Sequence, residues 1–515
     1  MSGFDLIALV PLLPLLAAGL IALLHLAGIA RGEAGEPWTA RLAVWSAALS
    51  LLIVLGLDLA ALAGGTPGSV QLGYWLVSGG FEVGASFMVD ALALGIGTLV
   101  ALIAFLTLRF SVNYLHREAG FHRFFIAMCL FAGGMQLIVL AGNMAFSFIG
   151  WELAGVSSYL LIGYAYDRPT ATGNALRALV TNRIGDAGFV LGIALAYAWL
   201  GSLEWSALPE RSQSFTTLAA ALLGIGFVVA ALAKSAQVPF APWIARALEG
   251  PTPSSAIFYG ALMVHAGVYL LLRLAPLIEH SPALMGLLVV LGGLTALYGY
   301  LAGLAQTDVK SALMFATTAQ VGLMFVACGL GWFELAAWHL ALHAAFRAYQ
   351  FLASPSYMHL IGGAARPVPS LLAHRQWLYT AALQRFWLEP LAERLLVRPT
   401  RELAQDMRVI DEQVVSRLVG LPEKAKAAAL LDRVGQARHQ GAQAVVYGHG
   451  AAGKLLEWVA DRLDHFERHL VLQAGGGRMA WLLRQVGQWL VAVESLLERP
   501  RYLLLLVMAT LVVIL

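Results

Sequence analysis

Charge is scarce in this sequence: Asp, Glu, Lys and Arg make up 12% of its 515 residues, the net charge is +3, and 59% of residues are hydrophobic. So small a positive excess leaves no electrostatic footprint for nucleic acid. Cysteine is scarcer still. Cys129 and Cys328 lie far apart in apolar runs without metal-ligand spacing, and read as small core residues. The sequence shows no hydrolase triad, phosphate loop or haem motif, so no bond-making chemistry is expected of this chain, and no cofactor or metal. The opening MSGFDLIALVPLLPLLAAGL lacks the basic region and cleavage site of a signal peptide, and reads as a first spanning helix.

What the sequence has is long apolar runs. Helices of about 20 apolar residues satisfy their own backbone in lipid, so the expected fold is an all-α polytopic membrane protein with about 11–12 transmembrane helices, one of them broken. Eleven spans are expected before residue 355: 5–29, 40–64, 86–110, 122–141, 144–165, 177–201, 216–248 (the broken one), 253–275, 282–304, 309–330 and 333–353. Basic residues Arg109, Arg117, Arg123, Arg168 and Arg177 flank the loops after spans three and five. The loop after span two holds Glu82, and the loop after span six Glu204, Glu210 and Arg211. By the positive-inside rule the odd loops are cytoplasmic and the N-terminus periplasmic.

Composition changes after span eleven. Residues 355–499 carry charges in amphipathic order, as in LAERLLVRPTRELAQDMRVIDEQVVSRLVG, and read as cytoplasmic surface helices interrupted by Gly475-Gly476-Gly477. Tyr502-LLLLVMATLVVIL reads as a short C-terminal anchor. The expected divisions are 1–110, 111–280 with the broken helix, 281–354 as a partial second repeat, 355–499, and 500–515.

The residues that invite a functional reading are the charges inside the apolar runs. Lys234 follows LAAALLGIGFVVAALA, and Pro239 and Pro242 follow it within eight residues. Proline ends a helix, and a charge beside a helix break in lipid is a common form of ion site. Glu152, in span five, needs a cation or water, with Lys234 as its natural partner; alternatively it is a helix-end glutamate near the interface. Arg183 and Asp186 stand three apart on span six, either as a static pair or as a modulator of the Glu152–Lys234 site. His265, in span eight, suits a proton relay or simple packing. Lys310 opens span ten and either serves the path or snorkels to the interface. His339, His343 and Arg347 repeat every four residues on one face of span eleven, as a relay requires. Arg347 barely titrates and is expected to hold a carboxylate or repel cations.

Taken together, WELAGVSSYLLIGY, NRIGDAGF, AKSAQVPFAPWIARALEGPTPSSA, VHAGVYLLLR, TDVKSALMFATTAQVGLMF and HLALHAAFRAYQFL resemble the antiporter-like subunits of respiratory complex I and of multisubunit cation/proton antiporters. The resemblance covers about residues 85–355. It implies a proton channel in which Glu152 and Lys234 form a coupled pair and Lys310, His339 and His343 continue a central polar axis. Three departures stand out. Arg347 occupies a position where complex I subunits usually carry lysine. Ile257-Phe258-Tyr259-Gly260 stands where a histidine is typical, with His265 coming later. The family's second half, with its further broken helix, is replaced by the amphipathic segment. The string FYGALMVHAGVYLLLR with that replacement is similar to the membrane subunit of DAB-type inorganic carbon transporters. This resemblance implies a soluble, zinc-bearing, carbonic-anhydrase-like partner of the DabA type docked on the cytoplasmic side of a bacterial inner membrane. Ion flow would then drive the conversion of carbon dioxide to bicarbonate. The alternative is a proton-pumping subunit, similar to subunit L, of an NADH-quinone oxidoreductase or cation/proton antiporter.

Overall fold

The computed structural model describes residues 3–78, 81–261, 263–354 and 369–410. Among these, nine helices are long and apolar enough to cross a membrane. They are α1 (Leu9–Leu26, preceded by a 3-10 turn from Gly3), α2 (Gly32–Gly64), α3 (Ala91–Tyr114), α4 (Phe121–Leu140), α5 (Met144–Ile162), α6 (Pro169–Leu200), α7 (Thr217–Lys234), α10 (Pro282–Leu304) and α11 (Val309–Gly329). Among the shorter helices between α7 and α10 are α8 (Pro242–Arg246) and α9 (Ala266–Arg273). Helix α12 (Phe333–Leu352) has the length to span but carries too many polar residues to be counted with the nine. The chain is a multi-pass, mostly helical membrane protein.

Short polar side chains start several of these helices. Asp90, Asn143, Thr216, Ser281 and Asp308 each accept a hydrogen bond from the backbone N–H three residues on. Such caps satisfy donors that a helix's first turn leaves open. Helix α4 is buried on nearly every side, between α1 and α5. Helices α6 and α7 meet at backbone contact: a β-carbon at Gly188 would lie 2.6 Å from the carbonyl oxygen of Gly226. In lipid, where Leu gains nothing by leaving the solvent, small residues at a crossing are what let helices pack tightly.

Two expectations from the sequence are corrected. The third span does not begin at residue 86, because Phe81–Val89 forms a strand, β2, antiparallel to β1 (Gly68–Ser78). The alternating small and apolar residues of FEVGASFMV suit a strand as well as a helix start, and Asp90 then caps the helix proper. Asn143 Nδ2 donates to the Gly84 carbonyl at 2.7 Å and to Ser86 Oγ at 2.9 Å, fastening the hairpin to the start of α5. Nor is 253–275 one unbroken span. It consists of a short α-helical turn at Thr252–Ser255, a π-helical stretch at Ala256–Ala261, and α9. The reason lies in packing: Gly260 sits so close to α12 that a β-carbon there would be 2.6 Å from Ala348 Cα.

The hairpin and the ends of α4 and α9 mark one face of the bundle. Arg117, Arg168, Glu249, Thr252 and Lys310 mark the opposite, more basic face. On that face α13 (Gln376–Leu383) follows, burying Leu378 and Ala382 against Leu301 of α10. Then comes α14 (Leu388–Ala392), continued by a π-helical turn to Val397. A second compact unit begins at Arg398. Its described part is one helix, α15 (Arg398–Ile410), with an exposed Arg398–Glu402 ion pair one turn apart. Of the expected cytoplasmic segment, 355–368 and 411–499 lie outside the described residues, as do the glycine run at 475–477 and the expected anchor at 500–515.

Candidate ion-translocation site

Helix α7 ends at Lys234, directly before the proline-containing string. Ala236 takes φ +50°, a left-handed conformation that costs an L-residue about 1–2 kcal/mol and turns the chain toward α8. Trp243 of α8 folds back, its indole N–H donating to the Ala233 carbonyl at 2.8 Å. The same carbonyl also accepts from the Ala236 backbone N–H at 3.2 Å. Lys234 is thereby held at a helix end, 1% exposed.

The ammonium of Lys234 donates to the Trp151 carbonyl at 3.2 Å and lies 4.8 Å from the centre of that residue's ring. Beside it, Glu152 is 6% exposed. The expectation that Lys234 is its direct partner is corrected: Glu152 Oε2 accepts from Arg183 Nη1 at 2.5 Å. Arg183 reaches further, its Nε 2.9 Å from Asp186 Oδ2, so the expected i, i+3 pair is present. Asp186 Oδ1 accepts from the Trp151 indole at 2.8 Å. Two acids, an arginine and a lysine thus close around Trp151. Removing charges from water is costly unless they are paired, and here the signs balance. The close crossing of α6 and α7 makes this possible, since it brings Arg183 and Asp186 against the end of α7. Sequence reading did not single out Trp151, although its adjacency to Glu152 was a usable signal.

A second polar group lies across α9. His265 stands at the position just before that helix, with no side-chain capping bond, instead of within a continuous span. Its Nε2 is 3.0 Å from His343 Nδ1, so one ring donates and the other accepts according to tautomer. His343 Nε2 in turn lies 3.4 Å from both Nε and Nη2 of Arg347. No carboxylate pairs with Arg347 among the described residues, so its neighbour is a histidine and not the expected acid. His339, one turn back, bonds Gln320 Oε1 of α11 at 2.8 Å, and its ring centre is 6.0 Å from that of His343. Between the two groups lies Ser235, whose buried hydroxyl touches Gly267 of α9 and makes no hydrogen bond among the described residues. Gln237 Oε1 is likewise buried without a partner. Both were overlooked in the sequence, since a serine and a glutamine are unremarkable until burial is known. Lys310 stands apart: its ammonium donates to Thr252 Oγ1 at 2.5 Å, and Thr252 is 2.9 Å from the Tyr114 hydroxyl, on the basic face.

Two further charged groups lie at the hairpin face. Arg273 makes a two-pronged bond to the Asp90 carboxylate, at 2.5 and 3.0 Å. Burial would raise the Asp90 carboxyl, but the Arg273 bonds and charge outweigh it and hold it below its usual range. Glu204, after α6, accepts from Ser86 Oγ at 2.7 Å. Burial pushes its carboxyl above the usual range, only partly offset by the bonds from Ser86 and Asn143.

Residues 141–364 match the family described as NADH:quinone oxidoreductase/Mrp antiporter, TM, and residues 75–125 match the N-terminus of complex I chain 5. The chain is 36% identical over 314 residues to NADH-ubiquinone oxidoreductase chain 5 of Rhizopus stolonifer, covering 59% of this chain and 48% of that one. It is 37% identical over 295 residues to NADH-quinone oxidoreductase subunit L of Mycobacterium tuberculosis, covering 56% and 46%. It therefore spans about half the length of the curated relatives it matches. Among solved structures it resembles a chain of the Mrp complex from Dietzia sp. DQ12-45-1b, with a TM-score of 0.59, 28% identity, and coverage of 67% of this chain and 37% of that one. Over the matched residues, 75–125 and 141–364, the chain is similar to the antiporter-like membrane subunits of complex I and Mrp antiporters.

Proposed function

We propose that this chain translocates protons as one membrane subunit of a larger assembly, in a bacterial inner membrane with its N-terminus periplasmic. One observation carries the reading: Lys234, fully buried at the end of a broken helix, shares Trp151 with the Glu152–Arg183–Asp186 chain. Charged groups at membrane depth are retained where ions or protons pass. Lysine, glutamate and histidine can exchange a proton by small movements, and Ser235 offers a hydroxyl between the lysine group and the His265–His343 pair. Sodium, by contrast, prefers a cage of oxygen ligands. Reconstituted in vesicles, the full chain with its native partners should dissipate an imposed pH gradient. Lys234→Ala and Glu152→Gln should each abolish that flux while the protein still inserts. Wild-type flux in Lys234→Ala would overturn the reading.

The relatives favour an assembly of the redox-driven or cation-antiport kind, since they are named as NADH-quinone oxidoreductase subunits and an Mrp complex. Inorganic carbon uptake is the second reading, and it rests on FYGALMVHAGVYLLLR. Purification of the native complex separates the two. Iron–sulfur and quinone subunits, or other antiporter subunits, support the first; a zinc-binding soluble subunit supports the second.

A further inference from the structure

Beneath the broken helix, on the basic face, lies a small cavity of about 10 Å³ open to a water's centre, room for roughly one water. Arg177 and Thr181 of α6, Pro242 and Trp243 of α8, and Glu389 and Glu393 of the 388–397 segment line it. Two of its lining residues lead toward the lysine group. Trp243 is bonded to the carbonyl of the residue preceding Lys234. Arg177 stands six residues before Arg183 on the same helix, about 9 Å at 1.5 Å per residue. The cavity is closed by ion pairs. Arg177 binds Glu389 and Glu393, each at 2.7 Å, and Arg246, at the end of α8, binds Glu389 as well. Two carboxylates on one short segment thus grip both α6 and the second half of the broken helix. None of these pairs lies deep in the protein: the side chains are roughly one quarter to one third exposed, so water competes for them.

We propose that residues 388–397 form a gate over this cavity. Glu389 and Glu393 hold it shut through Arg177 and Arg246, and their release admits water to the foot of the Lys234 group. This rests on the reading of Lys234 as part of an ion path, and it gives the segment that follows α12 a defined task. Movement of 388–397 by whatever binds the chain beyond it would switch access to the lysine. Pairs worth little each, in partial exposure to water, suit a device that must open, because no large free energy has to be overcome.

The test measures access directly. The full chain in lipid nanodiscs, with Cys129→Ala and Cys328→Ala, receives Thr181→Cys, and its reaction with a small water-soluble maleimide is timed. Glu389→Gln with Glu393→Gln should accelerate labelling at least tenfold. The fourfold charge exchange Arg177→Glu, Arg246→Glu, Glu389→Arg and Glu393→Arg rebuilds all three pairs with the signs reversed, and should keep the rate within about threefold of the starting protein. Unchanged labelling in the double glutamine variant overturns the gate. So does equal acceleration in the charge exchange, since the effect then reflects a loosened fold. Labelling does not depend on conduction. A gated cysteine in a protein that carries no proton flux would overturn the ion-path reading alone.

Discussion

Lys234 is held by the backbone of Trp151, at 3.2 Å from its carbonyl oxygen, while Trp151's indole holds Asp186 at 2.8 Å. One residue therefore touches the lysine with its main chain and an acid with its side chain. Trp151→Phe keeps the carbonyl and most of the ring but deletes the indole donor. The variant should unfold about 1–3 kcal/mol more easily, since a buried carboxylate loses a hydrogen bond. Proton flux should fall severalfold without vanishing. Thermal unfolding and vesicle flux together check this; unaltered flux would confine Trp151 to packing.

Arg183 bridges Glu152 and Asp186 with separate nitrogens, at 2.5 and 2.9 Å. Lysine offers a single ammonium and cannot span both acids in the same way. Arg183→Lys should keep the fold and lower flux about tenfold. Arg183→Gln leaves two acids facing each other and should cost about 3–5 kcal/mol, with flux lost. Retained flux in the glutamine variant would show that the bridge is only structural.

The 3.0 Å contact between His265 and His343 is the shortest between two titratable side chains in the second polar group. Glutamine can mimic either ring's hydrogen bonds but cannot carry a proton in transit. His265→Gln and His343→Gln should each reduce flux about tenfold or more, with folding little affected. If a fixed positive charge beside His343 is its role, Arg347→Lys should retain most activity and Arg347→Ala should not. Full activity with both histidines replaced would make the stripe packing.

Glu204 supplies a pH dependence outside the spans. Its carboxyl is raised above the usual 4.5 by burial, so the folded protein keeps this proton to higher pH than the unfolded chain does. The contribution is fully present below about pH 4.5 and is lost as pH rises from there through the raised value. Glu204→Gln, which never ionises, should remove that decline. Unfolding temperatures taken from pH 4 upward should show the wild type losing ground to the variant across this window. Parallel profiles would mean that Ser86 and Asn143 hold the hairpin without regard to charge.

Much of this was legible in the sequence, for a common reason. Lys234 before a proline pair, Glu152 in an apolar helix and Asp186 one turn after Arg183 are all local patterns, and lipid penalises each severely enough to make it visible. Partner choice was not local. Glu152 of α5 took Arg183 of α6 over Lys234 of α7, and how three separate helices meet is not written in any one of them. The hairpin was missed because FEVGASFMV runs without a break into α3. The interruption at 256–261 was missed because its cause sits on another helix, at Ala348. Glu389 and Glu393 looked like ordinary surface charges until they were found on Arg177 and Arg246.

The closeness of Gly260 to Ala348 has a consequence for inheritance. Gly260 carries no titratable group, yet it sets how near the interrupted segment can approach α12, and so how His265 meets His343 five residues further along. A single added methyl there would push the segment from α12 and lengthen the His265–His343 contact without touching either histidine. On the proton-path reading proposed above, a substitution at such a spacer position tunes conduction while every ionisable residue stays the same.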